Sequence, residues 1–141
     1  MCIQGFEFTR AYCSNTASNA QLGALYLKDC GNAVVKNCRF YQNRSLGYGG
    51  IAFRAEYSTS HLLECDFTDN EAGSRGGAIR LSSNNRTKGY STFERCLIAR
   101  NKAKEGTGSA VCVQHAQRTA IVNSTIYGNT ATTGGAVFAN G

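Results

Sequence analysis

Apolar and polar residues alternate along this chain in short runs, and the runs return at regular intervals. One set is Cys38/Phe40, Cys65/Phe67 and Cys96/Ile98. A second is Leu25/Leu27, Ile51/Phe53, Ile79/Leu81, Val111/Val113 and Val137/Ala139. A period of two marks strands, because successive side chains of an extended backbone leave opposite faces. Nothing between the runs has a helical period. Each run is too short to stand as a sheet alone, so copies must stack to bury their inward positions together.

Two tetrapeptides alternate within this pattern and index the stack. Phe40-Tyr41-Gln42-Asn43, Phe67-Thr68-Asp69-Asn70, Ile98-Ala99-Arg100-Asn101 and Ile126-Tyr127-Gly128-Asn129 each end in Asn. The last three are followed by Gly76-Gly77-Ala78-Ile79, Gly108-Ser109-Ala110-Val111 and Gly134-Gly135-Ala136-Val137, and the first by a looser Gly49-Gly50-Ile51-Ala52-Phe53. The anchors Cys38, Cys65, Cys96 and Ser124 are spaced by 27, 31 and 28 residues, and Ile3–Phe8 aligns with Val35–Phe40 as a weaker earlier copy. Repetition at this period predicts an all-β, single-stranded parallel β-helix of about five partial coils. The handedness of parallel crossovers makes it right-handed. Residues 1–141 read as one piece of a longer solenoid whose end coils lack a capping helix.

The repeat assigns most of the polar residues to architecture. Asn43, Asn70, Asn101 and Asn129 fall at one turn, where stacked amides can bond from coil to coil and to the turn backbone. The Gly pairs fit a tight corner that needs positive φ and close backbone approach. Cys38, Cys65 and Cys96 share one inward position and act there as small apolar residues, a buried thiol ladder. Cys2, Cys13, Cys30 and Cys112 lie off it, and a Cys13–Cys30 disulfide stays open. Outward charges meet opposite neighbours in this register: Arg39 over Asp66, Glu64 over Arg95, Asp69 over Arg100, and Glu71 between Arg44 and Lys102. Such exposed pairs add little stability, but they oppose a slipped register.

The Phe-x-x-Asn and Gly-Gly-Ala-Ile/Val pairing over residues 35–139 resembles the repeat of chlamydial polymorphic outer-membrane proteins and related bacterial surface β-helices. It departs at Ile98, Ile126 and Ser109. The resemblance implies a surface-exposed or secreted passenger, often carried by an autotransporter barrel and used for adhesion, whose partner is a carbohydrate or a host-surface protein.

Composition narrows the function classes. The net charge of +6 comes from 15 Lys and Arg spread from Arg10 to Arg118. No basic stripe interleaved with aromatics appears, so nucleic acid is not the expected partner. No apolar run is long enough for a membrane helix, and the opening residues do not read as a signal peptide. There is no Cys-x-x-Cys and no Cys/His pairing at zinc spacing, so neither a metal nor a cofactor is expected. His61 and His115 fall at different repeat phases, and no catalytic residue is assigned. The rival reading is a carbohydrate-active β-helix, a polysaccharide lyase or glycoside hydrolase, which needs convergent carboxylates. Its best candidates are Asp66, Asp69 and Glu71, with Arg39 and Arg100 on adjoining coils. The excursions at 12–19 and 82–90, with the exposed strand face, are the expected ligand-binding regions.

Overall fold

Among the described residues the short runs become twenty strands arranged as four walls of a parallel solenoid. The computed structural model describes residues 1–14, 23–47, 51–83, 89–115 and 118–140. Each coil contributes one strand to each wall in turn. Sheet I stacks Cys2–Gln4, Ala33–Lys36, Thr59–Leu63, Tyr90–Glu94 and Arg118–Val122. Sheet II stacks Glu7–Thr9, Arg39–Tyr41, Asp66–Thr68, Leu97–Ala99 and Thr125–Tyr127. Sheet III holds the two-residue strands Tyr12–Cys13, Arg44–Ser45, Glu71–Ala72, Lys102–Ala103 and Thr130–Ala131. Sheet IV stacks Leu25–Lys28, Phe53–Glu56, Ile79–Ser82, Val111–Gln114 and Val137–Asn140. Every pairing is parallel and in register, with Ile3 beside Val35 and Phe8 beside Phe40, so Ile3–Phe8 is the first copy of the repeat.

The core is a set of stacked columns. Phe8, Phe40 and Phe67 lie face to face at centroid separations of 4.6 and 4.7 Å, the spacing of adjacent strands. Phe93 of sheet I meets Phe67 of sheet II and Phe53 of sheet IV edge-on, at 6.3 and 6.4 Å. It thereby ties three walls together. Each such fully buried ring is worth roughly 1.5–3 kcal/mol over an exposed one.

Register corrects one alternation. Phe53, not Ile51, aligns with Leu25 and Ile79, and its inward companion is Ala55. Counting back, Ile51 takes the place of Gly77 and is itself buried. Gly49 and Gly50 lie outside the described residues. The two glycines of the motif do different work. Gly76, Gly108 and Gly134 carry φ of +71, +70 and +73°. At Gly77 the φ is ordinary, but a Cβ would sit 2.3 Å from the Ser109 carbonyl oxygen. The first glycine supplies conformation, the second space.

Three other corners use the left-handed region without a glycine signature, the one after sheet IV through Asp29, Tyr57 and His115. Between sheets I and II it is held by Gly5, Asn37, Glu64, Arg95 and Asn123, and between sheets II and III by Arg10, Gln42, Asp69, Arg100 and Gly128. Eight of these ten are not glycine, although the region costs such residues about 1–2 kcal/mol each. Interstrand bonds flanking each corner offset that cost, as between Asn37 N–H and the Leu63 carbonyl or Asp69 N–H and the Ala99 carbonyl.

Candidate functional site

The repeat's Asn residues form a buried ladder directly behind the sheet II to sheet III corner. The Nδ2 group of Asn70 donates to the Phe40 carbonyl and to Asn101 Oδ1, both at 2.9 Å, while its backbone N–H donates to Asn101 Oδ1 at 3.0 Å. Asn43 and Asn101 repeat the arrangement toward Asn70 and Asn129. In the first coil Ala11 occupies the Asn position, and only its N–H is left to donate to Asn43 Oδ1. These side chains are spent on backbone.

The cysteines are spent likewise. Cys38, Cys65 and Cys96 are buried free thiols at the sheet I to sheet II corner. Each donates to the carbonyl two residues earlier: Lys36 at 3.3 Å, Leu63 at 3.3 Å and Glu94 at 3.5 Å. Ser124 makes the same bond to Val122 at 2.8 Å. Contact with the Cys96 thiol and burial push the Cys65 thiol far above its ordinary range, so it stays protonated and unreactive. Cys13 lies in sheet III and Cys30 at the corner leading into sheet I, and no disulfide joins them, so the open pairing is not formed. Cys30 stands where the next coil has Ser58, and Cys13 where it has Ser45. Cysteine replaces serine within these columns.

The five candidate charged residues do not converge. Arg39 and Asp66 face outward on sheet II, with Arg39 Nε 3.7 Å from Asp66 and its Nη1 3.5 Å from Glu7. Asp69 and Arg100 sit at the next corner, bonded through two 2.8 Å contacts, and Arg100 also donates to the Tyr127 hydroxyl. Glu71 has turned onto sheet III. It lies between Arg44 and Lys102 in register, but the ammonium that reaches it is that of Lys104, at 2.9 Å, with Arg44 Nε also at 2.9 Å. The Lys104 contact holds the Glu71 carboxyl below its usual range. The left-handed residue at Asp69 redirects the chain between Asp66 and Glu71, which is why three nearby carboxylates end on different faces.

A shallow depression of about 270 Å³ on the outer surface of sheet II is lined by Glu7, Arg39, Tyr41, Asp66 and Thr68. It contains two of the five candidates and three residues that sequence reasoning missed. The alignment of Ile3–Phe8 with Val35–Phe40 already carried a signal for Glu7, since it puts that residue beside Arg39. Of the loop candidates, residues 15–19 and 84–88 lie outside the described residues. Within the rest, Tyr12 and Tyr90 are exposed, whereas Ser82 and Ser83 are buried. His61 shares a 2.9 Å bond with Thr92 on sheet I, and His115 sits at the corner after sheet IV, so the two imidazoles are on different parts of the coil.

A family model described as a right handed beta helix region matches residues 3–141. The chain belongs to the right-handed β-helix family. No curated protein and no solved structure matches it. In this β-helix, seven of the nine carboxylates face a basic side chain among the described residues: Glu7, Glu56, Glu64, Asp66, Asp69, Glu71 and Glu94. Among the described residues no group of three His, Cys, Asp or Glu side chains is placed to hold a metal ion.

Proposed function

We propose that this β-helix is a display and binding scaffold of a surface or secreted protein, akin to the repeats of chlamydial-type polymorphic outer-membrane proteins, and that the sheet II recess takes a carbohydrate. The observation that carries this reading is the pairing of the carboxylates. General acid–base cleavage of a glycosidic bond requires two carboxyl groups free to bind a proton and to attack or activate water. Here Glu7 and Asp66 both lie against the same guanidinium, that of Arg39, so neither stands free of a basic partner. A ring (Tyr41), a hydroxyl (Thr68) and a charged triplet offer stacking and hydrogen bonds to a sugar without a free catalytic pair.

The test is a binding and cleavage comparison on immobilised neutral and uronate glycans. We expect saturable binding that falls about tenfold or more in Tyr41→Ala and Arg39→Gln, the scale of losing one charge-assisted bond or aromatic contact. Polymer length should stay unchanged. Release of new chain ends by the wild-type protein, abolished in Asp66→Asn, would replace this reading with the carbohydrate-active alternative.

A further inference from the structure

The acceptor tripeptide of N-linked glycosylation, Asn-x-Ser/Thr with x other than Pro, occurs three times in this chain. The copies are Asn43-Arg44-Ser45, Asn85-Arg86-Thr87 and Asn123-Ser124-Thr125. The second lies outside the described residues. In the other two, the same residue types stand on opposite sides of the wall.

Asn43 and Ser45 point inward, 0% and 2% exposed, with Arg44 outward between them. The Nδ2 group of Asn43 donates to the Phe8 carbonyl and to Asn70 Oδ1, each at 2.9 Å, which spends both of its hydrogens. Ser45 Oγ accepts from the Gly47 N–H. A sugar on this amide would have to enter the packed core and would break the Asn ladder.

Asn123-Ser124-Thr125 has the reverse phase. Here the middle residue turns inward: Ser124 Oγ donates to the Val122 carbonyl and accepts from the Cys96 N–H. Asn123 and Thr125 flank it, and both are exposed. Thr125 stands in the outward column of Arg39, Asp66 and Leu97. The exposure of Asn123 belongs to its place in the coil. Asn37, Glu64 and Arg95 hold the same corner in earlier coils and are exposed with a coil stacked on either side. The fold asks nothing of this side chain, since Gly5, Asn37, Glu64, Arg95 and Asn123 all serve there. Asparagine suits the place because it tolerates the left-handed region, at φ +48°.

We propose that Asn123 is an acceptor for an N-linked glycan, and that inward phase excludes Asn43. The donor is a sugar carried on a polyprenyl diphosphate. Asn123 Nδ2 attacks the anomeric carbon, the bond from that carbon to the diphosphate oxygen breaks, and the diphosphate leaves with the electron pair. One amide proton passes to a base of the transferase. The Thr125 hydroxyl, on the same outward side, is the group by which the transferase reads the site. The glycan stands two strand spacings, about 10 Å, beyond Asp66 of the sheet II recess. The inference shares with the proposed function only the premise of export.

The experiment expresses the chain behind a cleavable secretory leader in a eukaryotic host and isolates the folded, secreted protein. Enzymatic deglycosylation in heavy-oxygen water converts each occupied Asn to labelled Asp, which peptide mass spectrometry locates. Label is expected at Asn123 and not at Asn43. Asn123→Gln and Thr125→Val should abolish label at this site, and Thr125→Ser should keep it. The proposal is overturned if Asn123 is bare, or if Asn43 carries label in chains with the native thermal midpoint. Should secretion fail, the folded protein offered to purified oligosaccharyltransferase with a polyprenyl-diphosphate oligosaccharide decides by the same two readouts. Because export is supplied in the test, a bare Asn123 counts against this inference alone, and absent glycan binding at the recess counts against the proposed function alone.

Discussion

Sheets II and IV are built by the same stacking rule, yet they treat charge in opposite ways. On sheet II the outward column runs Glu7, Arg39, Asp66, and these side chains are 42–65% exposed. Opposite signs alternate there, water screens them, and each pair is worth little on its own. On sheet IV Arg54 stacks on Arg80, and solvent hardly reaches Arg54. There every missing partner matters, because an unbalanced charge cannot turn to water. An exposed ladder pins register at small energetic consequence. A like-charge pair with one buried member holds its charges side by side where water screens them poorly.

The largest expected effect lies beneath both walls. Asn70→Ala would strip the Phe40 carbonyl of its amide donor and deprive both the N–H and Nδ2 of Asn43 of their acceptor. At about 1–3 kcal/mol for each stranded group, a loss of about 3–6 kcal/mol is expected in urea unfolding. A loss near zero would mean that the ladder merely accompanies the stack.

Glu56→Gln sharpens the comparison on the buried wall. It removes the carboxylate that faces the buried Arg54 guanidinium and should cost about 3 kcal/mol. It also has an alkaline signature. Burial, with the Glu56 bond second, raises the Tyr26 phenol from its ordinary value of 10.0 to about 12. A group raised in the folded state contributes stability that is complete below pH 10 and lost as pH rises through 12. In Glu56→Gln, ultraviolet titration should show Tyr26 ionising part of the way back toward 10, and the alkaline loss of stability should shrink.

The smallest effect belongs to the exposed wall. Asp69→Asn removes a two-contact pair with Arg100 but should cost little, and less still at high salt. A cost equal to that of Glu56→Gln in thermal unfolding at matched salt would break the distinction between the two walls.

Spacing alone brought Asn43, Asn70, Asn101 and Asn129 to one column, and it aligned Ile3–Phe8 with the second coil. The same arithmetic paired Arg39 with Asp66 and Glu64 with Arg95. It misplaced Ile51, because a β-branched residue in a glycine position looks like a strand residue when only alternation is read. It missed the left-handed corners at Asn37, Glu64, Arg95 and Gln42. Side-chain type carries almost no signal there, since the neighbouring coils force the conformation against local preference. It grouped Asp66, Asp69 and Glu71, because one corner residue redirects the chain without altering sequence distance.

By itself the sequence determined which residues share a column and which face inward, since both follow from a local period of two repeated at nearly constant spacing. The tertiary structure decided what each column meets on its outer side. Arg39 and Arg54 have equivalent outward parity on their strands, and nothing in the alternation separates them. One is bathed in solvent between two carboxylates, while the other is enclosed beside Arg80. Burial of an outward face depends on what packs across it from elsewhere in the chain, a long-range property that no local pattern encodes.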